Sequence, residues 1–453
     1  MKHTSSKCIG TLFIFGSLLF LVSCKRDSDI VVDGANDKTH TKKYSAEVAQ
    51  KWLDLQLRIL RLAGATPTTP AANPYSLNGN RQFAYMGIAL YESVLPGMPS
   101  QQSLYGQLTA MPAMPDVAKK NEYHWPTSAN AALAFLTKKF YTVASAANKA
   151  AMDSLEAALN GEYQQQVSPE DFQRSKLFGQ DVAQRIFNWA QADGSQTNYP
   201  AYVPTTDPTK WSNTAPNPTA VFAPYWGLNR QFVPGSFDNT AAPLPPPYST
   251  DPTSAYYSMV KEVYDISQAL TEDQKALALY FRDNPGFQAG THYQSIFSQV
   301  MGKENLTLDE FAMAQAKVGI AMAESQINCW QQKYSLLVDR PTKYIRNVLG
   351  HTTWSSFLVM PPHPDYPSGH SQTGGAFAAA MTHLFGDNYA ITLHTYDNLG
   401  MAPRFYSSFS EMTEDIGRSR VYGGIHYTYS CVEGQKQGEK IGANILNKLK
   451  FLK

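Results

Sequence analysis

Residues 308–334 place Phe311, Val318, Ile320, Ile327 and Trp330 among helix-forming neighbours with no proline to interrupt them. That stretch predicts one long helix with buried positions along it, which needs other helices to cover it. The rest of the chain supplies them. Val48, Trp52, Leu55 and Ile59 share one face of a helix beginning near Tyr44, and Ala84, Ile88 and Tyr91 one face of a helix over 80–94. Further helices are predicted over 127–144, 146–160, 169–192, 254–270, 272–282 and 291–301, with Asp193-Gly194 as a C-cap pattern and Thr271 as an N-cap. A closing helix over 433–449 carries Gly434, Gly438 and Gly442 at every fourth position, which suits close helix contact. No alternating strand pattern competes with these readings. The expected fold is all-α, a multi-helix bundle with an N-terminal helical region over 45–253 and a C-terminal one over 254–453.

One stretch departs from the helical pattern. Residues 195–250 hold Pro200, Pro204, Pro208, Pro224 and Pro243-Leu244-Pro245-Pro246-Pro247, interspersed with Trp211, Trp226 and several tyrosines. A segment this long without periodicity is usually functional or a connector. Its aromatic side chains favour a packed rim or lid around a site.

The N-terminus reads as an address. Lys2, His3 and Lys7 precede an apolar run over 9–22, which is too short for a mature membrane span and has the length of a signal-peptide core. It ends in Leu21-Val22-Ser23-Cys24, which resembles a bacterial lipoprotein box with Cys24 as the lipidated residue. Residues 25–44 are polar and read as a flexible tether. The expectation is an exported bacterial lipoprotein on a periplasmic or outer-membrane surface, touching the membrane only through its lipid anchor. Of the four cysteines, Cys329 and Cys431 remain, and two buried thiols are expected. A net charge of +1 over 453 residues gives no basic stripe for nucleic acid, so any positive charge that matters must be focused in a pocket.

Three blocks point to such a pocket. Lys333 is followed seven positions later by Arg340-Pro341, Pro367-Ser368-Gly369-His370 leads into a small-residue helical run, and Arg420 precedes His426 by six positions. A proline, a capping serine and a glycine at a helix start leave outward-facing amides, a ready anion site. Two arginines and a lysine add charge-assisted donors, each worth on the order of 4 kcal/mol before desolvation at about 4 Å and an effective dielectric of roughly 20.

The ordered triplet of blocks resembles the signature shared by the vanadium-dependent haloperoxidases and the type 2 phosphatidic acid phosphatases. The segments 81–92 and 404–427 are similar to those of soluble bacterial haloperoxidase-like proteins. The resemblance implies an oxyanion, vanadate or phosphate, held by Lys333, Arg340, Ser368, Gly369 and Arg420. It makes His426 either the one protein ligand to vanadium or the nucleophile that forms a phosphohistidine, and His370 the acid–base partner. His363 resembles the histidine of the algal bromoperoxidases at a halide-proximal position. The activity implied is oxidation of bromide or iodide by hydrogen peroxide at vanadate. The alternative is an acid phosphatase acting on phosphomonoesters. One departure bears on the choice: four residues past His426, where the phosphatase pattern expects an aspartate to orient the histidine, stands Ser430. Glu414, Asp415 or Glu433 are candidates to replace it in space.

Overall fold

The computed structural model describes residues 40–61, 76–118, 121–213, 221–283, 287 and 291–453. The expected leader, its Cys24 and most of the tether lie outside these residues. The helices are α1 (Glu47–Leu60), α2 (Ser76–Val94), α3 (Trp125–Phe140), α4 (Ala146–Tyr163), α5 (Pro169–Gln191), α6 (Ala255–Gln268), α7 (Glu272–Tyr280), α8 (His292–Glu304), α9 (Leu308–Leu336), α10 (Pro341–Asn347), α11 (Gly369–Phe385), α12 (Phe409–Tyr422) and α13 (Thr428–Lys448). Two three-residue strands, β1 (Ile391–Leu393) and β2 (Arg404–Tyr406), pair antiparallel with Ile391 opposite Tyr406.

The long helix is the axis. α9 has 29 residues and is therefore about 44 Å long. Thr307 starts it with a capping box, its amide donating to Glu310. Leu337 ends it in the left-handed conformation at φ 51°. Its middle is buried on every side, because α2 covers one flank and α11 and α13 another. Small residues permit that closeness. A Cβ on Gly319 would stand 2.8 Å from Ala84 Cα, and one on Gly438 would run into the Gln372 carbonyl. The N-terminal and C-terminal helical regions thus share one core, with Trp52, Phe83, Phe311, Phe377 and Ile441 in the same cluster.

The α11–α13 contact does the most to place the site. Gly434, Gly438 and Gly442 of α13 face Ser368, Gln372 and Ala379. The start of α13, with His426 two residues ahead of it, is thereby held against the N-terminus of α11.

The proline-rich segment is packed along α9. Glu324, fully buried in that helix, accepts from the amides of Phe232 (2.7 Å) and Val233 (3.1 Å) and from the Ser236 hydroxyl. Burial pushes this carboxyl up to about 7 against those hydrogen bonds. Nearby, Phe222 donates its amide to Pro362 at 2.9 Å, and Tyr366 and Tyr429 donate to the carbonyls of Pro243 and Leu244. The segment therefore borders the residues around His370, as a rim would.

Some expectations need correction. The end of the expected tether is packed, not free: Thr41–Lys43 form a 3-10 turn, and the buried Thr41 hydroxyl donates to Val94 at 2.8 Å. α13 begins five residues before the predicted 433. α10, α12 and the small β-ribbon were not anticipated. Cys329 and Cys431 are both buried and unpaired with each other. Among the described residues no helix is long and apolar enough to cross a membrane.

Candidate active site

The structure brings the three sequence blocks to one place. His426 leaves the turn after α12 and is 2% exposed. Its Nδ1 lies 2.8 Å from Asp365 Oδ1, and its Nε2 lies 3.2 Å from an Nη1 donor of Arg340. A guanidinium has only protons to offer, so Nε2 presents a lone pair and the imidazole proton belongs on Nδ1, close to the carboxylate though not aligned as a hydrogen bond to it. Burial lowers the His426 pKa well below its ordinary value, and the charges of Arg340 and Lys333 push the same way. The side chain is a neutral imidazole with a basic nitrogen aimed among cations.

Those cations are fixed by backbone carbonyls. Lys333, at the end of α9, donates to Pro364 and Asp365 at 2.8 Å each, and burial brings its ammonium down to about 8. Arg340, held by Pro341 at the start of α10, donates from Nε to His363 O at 2.8 Å and from Nη1 to Ile425 O. Arg420, near the end of α12, donates to Phe281 O while its buried Nε has no partner.

The N-terminus of α11 completes the pocket. Ser368 caps it, accepting from the Ser371 amide at 3.4 Å and the Ser371 hydroxyl at 3.1 Å. With those lone pairs used, its own proton is what the hydroxyl can give. Its amide is tied to Ser430 O at 3.1 Å, whereas the Gly369 amide begins the helix and has no intrahelical acceptor. A Cβ on Gly369 would press against the Trp330 ring at 3.1 Å. The Trp330 indole N–H is itself buried without a partner.

His370 stands one residue into the helix, 12% exposed, with Nε2 3.2 Å from Asp283. Its ring lies nearly parallel to that of the buried His292, 5.5 Å away. Burial lowers the His370 pKa, partly offset by Asp283. Burial opposes ionisation of Asp283 too, but His370 and Arg420 hold that carboxyl down at about 2. His363 packs between Trp330 (5.3 Å) and Phe222 (5.9 Å), with Nδ1 3.1 Å from Arg340 Nη2. The same Nδ1 lies 3.2 Å from the Pro364 carbonyl, so it stands between a donor and an acceptor.

Lys333, Arg340 and Arg420 are thus buried against two carboxylates, Asp365 and Asp283, beside neutral imidazoles. One positive charge, the orphaned Nε–H of Arg420 and a helix N-terminus remain for a guest, which suits a tetrahedral oxyanion. Among the described residues no group of three His, Cys, Asp or Glu side chains is placed to hold a metal cation.

Comparison with known proteins agrees with this geometry. Residues 313–452 match the family model of the VCPO second helical-bundle domain. The vanadium-dependent bromoperoxidase of Ascophyllum nodosum is 29% identical over 99 residues, 19% of this chain and 18% of the algal enzyme's length. The crystal structure of a bacterial vanadium-dependent iodoperoxidase superposes with a TM-score of 0.78 at 29% identity, covering 93% of this chain and 98% of that one. A bacterial vanadium-dependent chloroperoxidase shares the fold, with a TM-score of 0.61 at 18% identity over 82% of this chain and 92% of its own. The chain belongs to the vanadium haloperoxidase and type 2 phosphatidic acid phosphatase superfamily.

Within this superfamily fold, one reading from the sequence is overturned. None of Glu414, Asp415 and Glu433 takes the place of the missing aspartate at His426. Glu414 and Asp415 pair with Arg418, and Glu433 pairs with Lys436. The carboxylate comes from upstream: Asp365 meets Nδ1, and Ser430 donates its hydroxyl to the other oxygen of that carboxylate. Burial pushes Asp365 up to about 6, with Arg340 and Lys333 opposing. Asp283 and His292 were also missed. Asp283 comes from the segment after α7 and His292 is the first residue of α8, both remote in sequence from every motif block.

Proposed function

We propose that this chain is a vanadium-dependent haloperoxidase that oxidises bromide or iodide with hydrogen peroxide. The observation that carries the reading is the basic Nε2 of His426, braced by Asp365 and facing a pocket with three buried cations. The nearly full-length likeness to a bacterial vanadium-dependent iodoperoxidase supports it.

The residues present fit vanadate. His426 Nε2 would bind the vanadium, while Lys333, Arg340, Arg420, the Ser368 hydroxyl and the Gly369 amide would neutralise its oxygens. Bound vanadate supplies Lewis acidity that polarises peroxide for halide attack without changing its own oxidation state. The chain does the rest. His370 takes the proton that hydrogen peroxide loses on entering, and Asp283 stabilises the imidazolium so formed. Trp330 and Phe222 exclude water from one side of the pocket, where His363 packs between them beside Arg340.

Asp365 would orient a nucleophilic His426 as well as a metal-bound one, so the assay must separate the two chemistries. Purified full-length protein, loaded with orthovanadate, is expected to iodinate or brominate with peroxide and to retain vanadium on desalting. Release of phosphate from a phosphomonoester with no peroxide-dependent halogenation would reverse the assignment. We further propose export and anchoring through Cys24, tested by metabolic labelling with a radioactive fatty acid and loss of label in Cys24→Ala.

A further inference from the structure

Two thiols flank the turn that carries Ser368. Cys329, on α9, gives its hydrogen to the Pro367 carbonyl, with Sγ 3.6 Å from that oxygen. Cys431, on α13, meets hydroxyls instead, and stands within hydrogen-bonding reach of Ser371 and Ser368. A Cβ on Gly417 of α12 would come to 3.4 Å from both the Ser371 oxygen and Cys431 Cβ, so hydroxyl and thiol sit against the same point of that helix. Ser368 and Ser371 are fully buried and Cys431 nearly so. Buried polar groups of this kind satisfy one another.

Their order follows from what each can accept. The guest of the pocket is an oxyanion, which only accepts, so the Ser368 hydroxyl donates to it. Ser368 Oγ then receives the Ser371 amide at 3.4 Å and the Ser371 hydroxyl at 3.1 Å. With its own proton given away, Ser371 Oγ has lone pairs left for the S–H of Cys431. Burial pushes that thiol up to about 12, with the charge of Asp365 acting in the same direction, so the thiol keeps its proton. Each bond in such a file polarises the next, and here every step points toward the anion.

We propose that Ser371 and Cys431 are positioning residues for the oxyanion site, forming a donor file in which Cys431 gives to Ser371, Ser371 to Ser368 and Ser368 to the bound anion. The proposal rests on the reading of the pocket as an oxyanion site and not on the reaction performed there. Neither residue touches the guest. Without the Ser371 hydroxyl, Ser368 keeps an open lone pair and a second way to turn; with it, the Ser368 proton has one direction.

The test uses full-length protein and inorganic phosphate. Affinity is read by calorimetry, and the thiol by its S–H stretching band in the infrared, assigned to Cys431 by its loss in Cys431→Ser. Ser371→Ala should weaken phosphate binding by roughly 2–12-fold. Cys431→Ala should weaken it by about 2–3-fold, the low end for a hydrogen bond because a thiol is a weak donor. Cys431→Ser should keep native affinity, since a hydroxyl gives the same bond. In a Ser371→Ala background, Cys431→Ala should cost nothing more. Phosphate should move the Cys431 band to lower frequency in the native protein and leave it unmoved in Ser371→Ala. A band that phosphate does not move in the native protein, or an equal cost of Cys431→Ala in both backgrounds, overturns the proposal; the second result is what a thiol that only fills space would give. Native affinity in both single alanine variants defeats the file alone, whereas a native protein that binds no phosphate defeats the oxyanion reading and the file with it.

Discussion

Asp365→Asn tests the least expected contact in the site. The carboxylate lies 2.8 Å from His426 Nδ1 and 3.9 Å from Arg340 Nη1. Two opposing effects follow from its loss. A neutral residue leaves the pocket one charge more positive, which favours every oxyanion. It also lets the imidazole turn and change tautomer, which harms only a guest that bonds to Nε2. Were His426 an imidazolium, its attraction to Asp365 would be on the order of 6 kcal/mol at an effective dielectric of roughly 20. With the neutral ring found here, the loss is that of an orienting partner, about 10–100-fold in affinity or ~1.4–2.7 kcal/mol. Comparing vanadate with phosphate by calorimetry cancels the charge term, since both are tetrahedral oxyanions of similar size. The ratio of their dissociation constants is expected to shift against vanadate by about 10–100-fold in Asp365→Asn. Ser430→Ala, which removes only a hydroxyl bonded to Asp365, should shift it by roughly 2–12-fold. A folded Asp365→Asn protein with the native ratio, or a larger effect from Ser430→Ala, would refute the assignment of Asp365 as the partner of His426.

Other outcomes follow from the same structure. Gly438→Ala drives a methyl into the Gln372 carbonyl and should cost about 1–3 kcal/mol, read as a lower melting temperature together with weaker vanadate binding; an unchanged melt would mean that the α11–α13 contact is loose. Lys333 holds its anion only when charged, so phosphate affinity should fall by up to tenfold per pH unit as pH rises past about 8, a slope that Lys333→Met abolishes. Glu324 titrates at about 7 in the folded chain against 4.5 for a free side chain. Because the folded value is raised, its contribution is full below 4.5 and lost as pH rises through 7. Thermal melts of Glu324→Gln should therefore depend less on pH across that window than those of the native protein, and equal dependence would place the titration elsewhere.

What could be read from the sequence was whatever is local. The all-α class followed from periodicity, and the three motif blocks followed from fixed spacing within single turns or helix starts. The Thr271 cap was visible for the same reason, and Ser408 with Glu411 offered a similar cue to α12 that went unused: Ser408 accepts the Glu411 amide at 3.1 Å. Strands of three residues have too few positions to show a period of two. Asp365 was in plain view two residues before Pro367, but its pairing with His426 is made by the folding of α13 onto α11, which no short window contains. Asp283 and His292 reach His370 the same way, from a segment with no motif of its own. Glu324 had the most misleading signal, since an acidic residue in mid-helix reads as solvent-facing until the loop amides it accepts from are known.

The central claim is that His426 Nε2 bonds to the guest of this pocket. X-ray absorption at the vanadium edge, on full-length native protein and His426→Ala loaded with vanadate, tests it most directly. The account predicts one imidazole nitrogen bonded to vanadium alongside oxygens in the native protein, absent in His426→Ala. An all-oxygen environment, the same in both proteins, would contradict it.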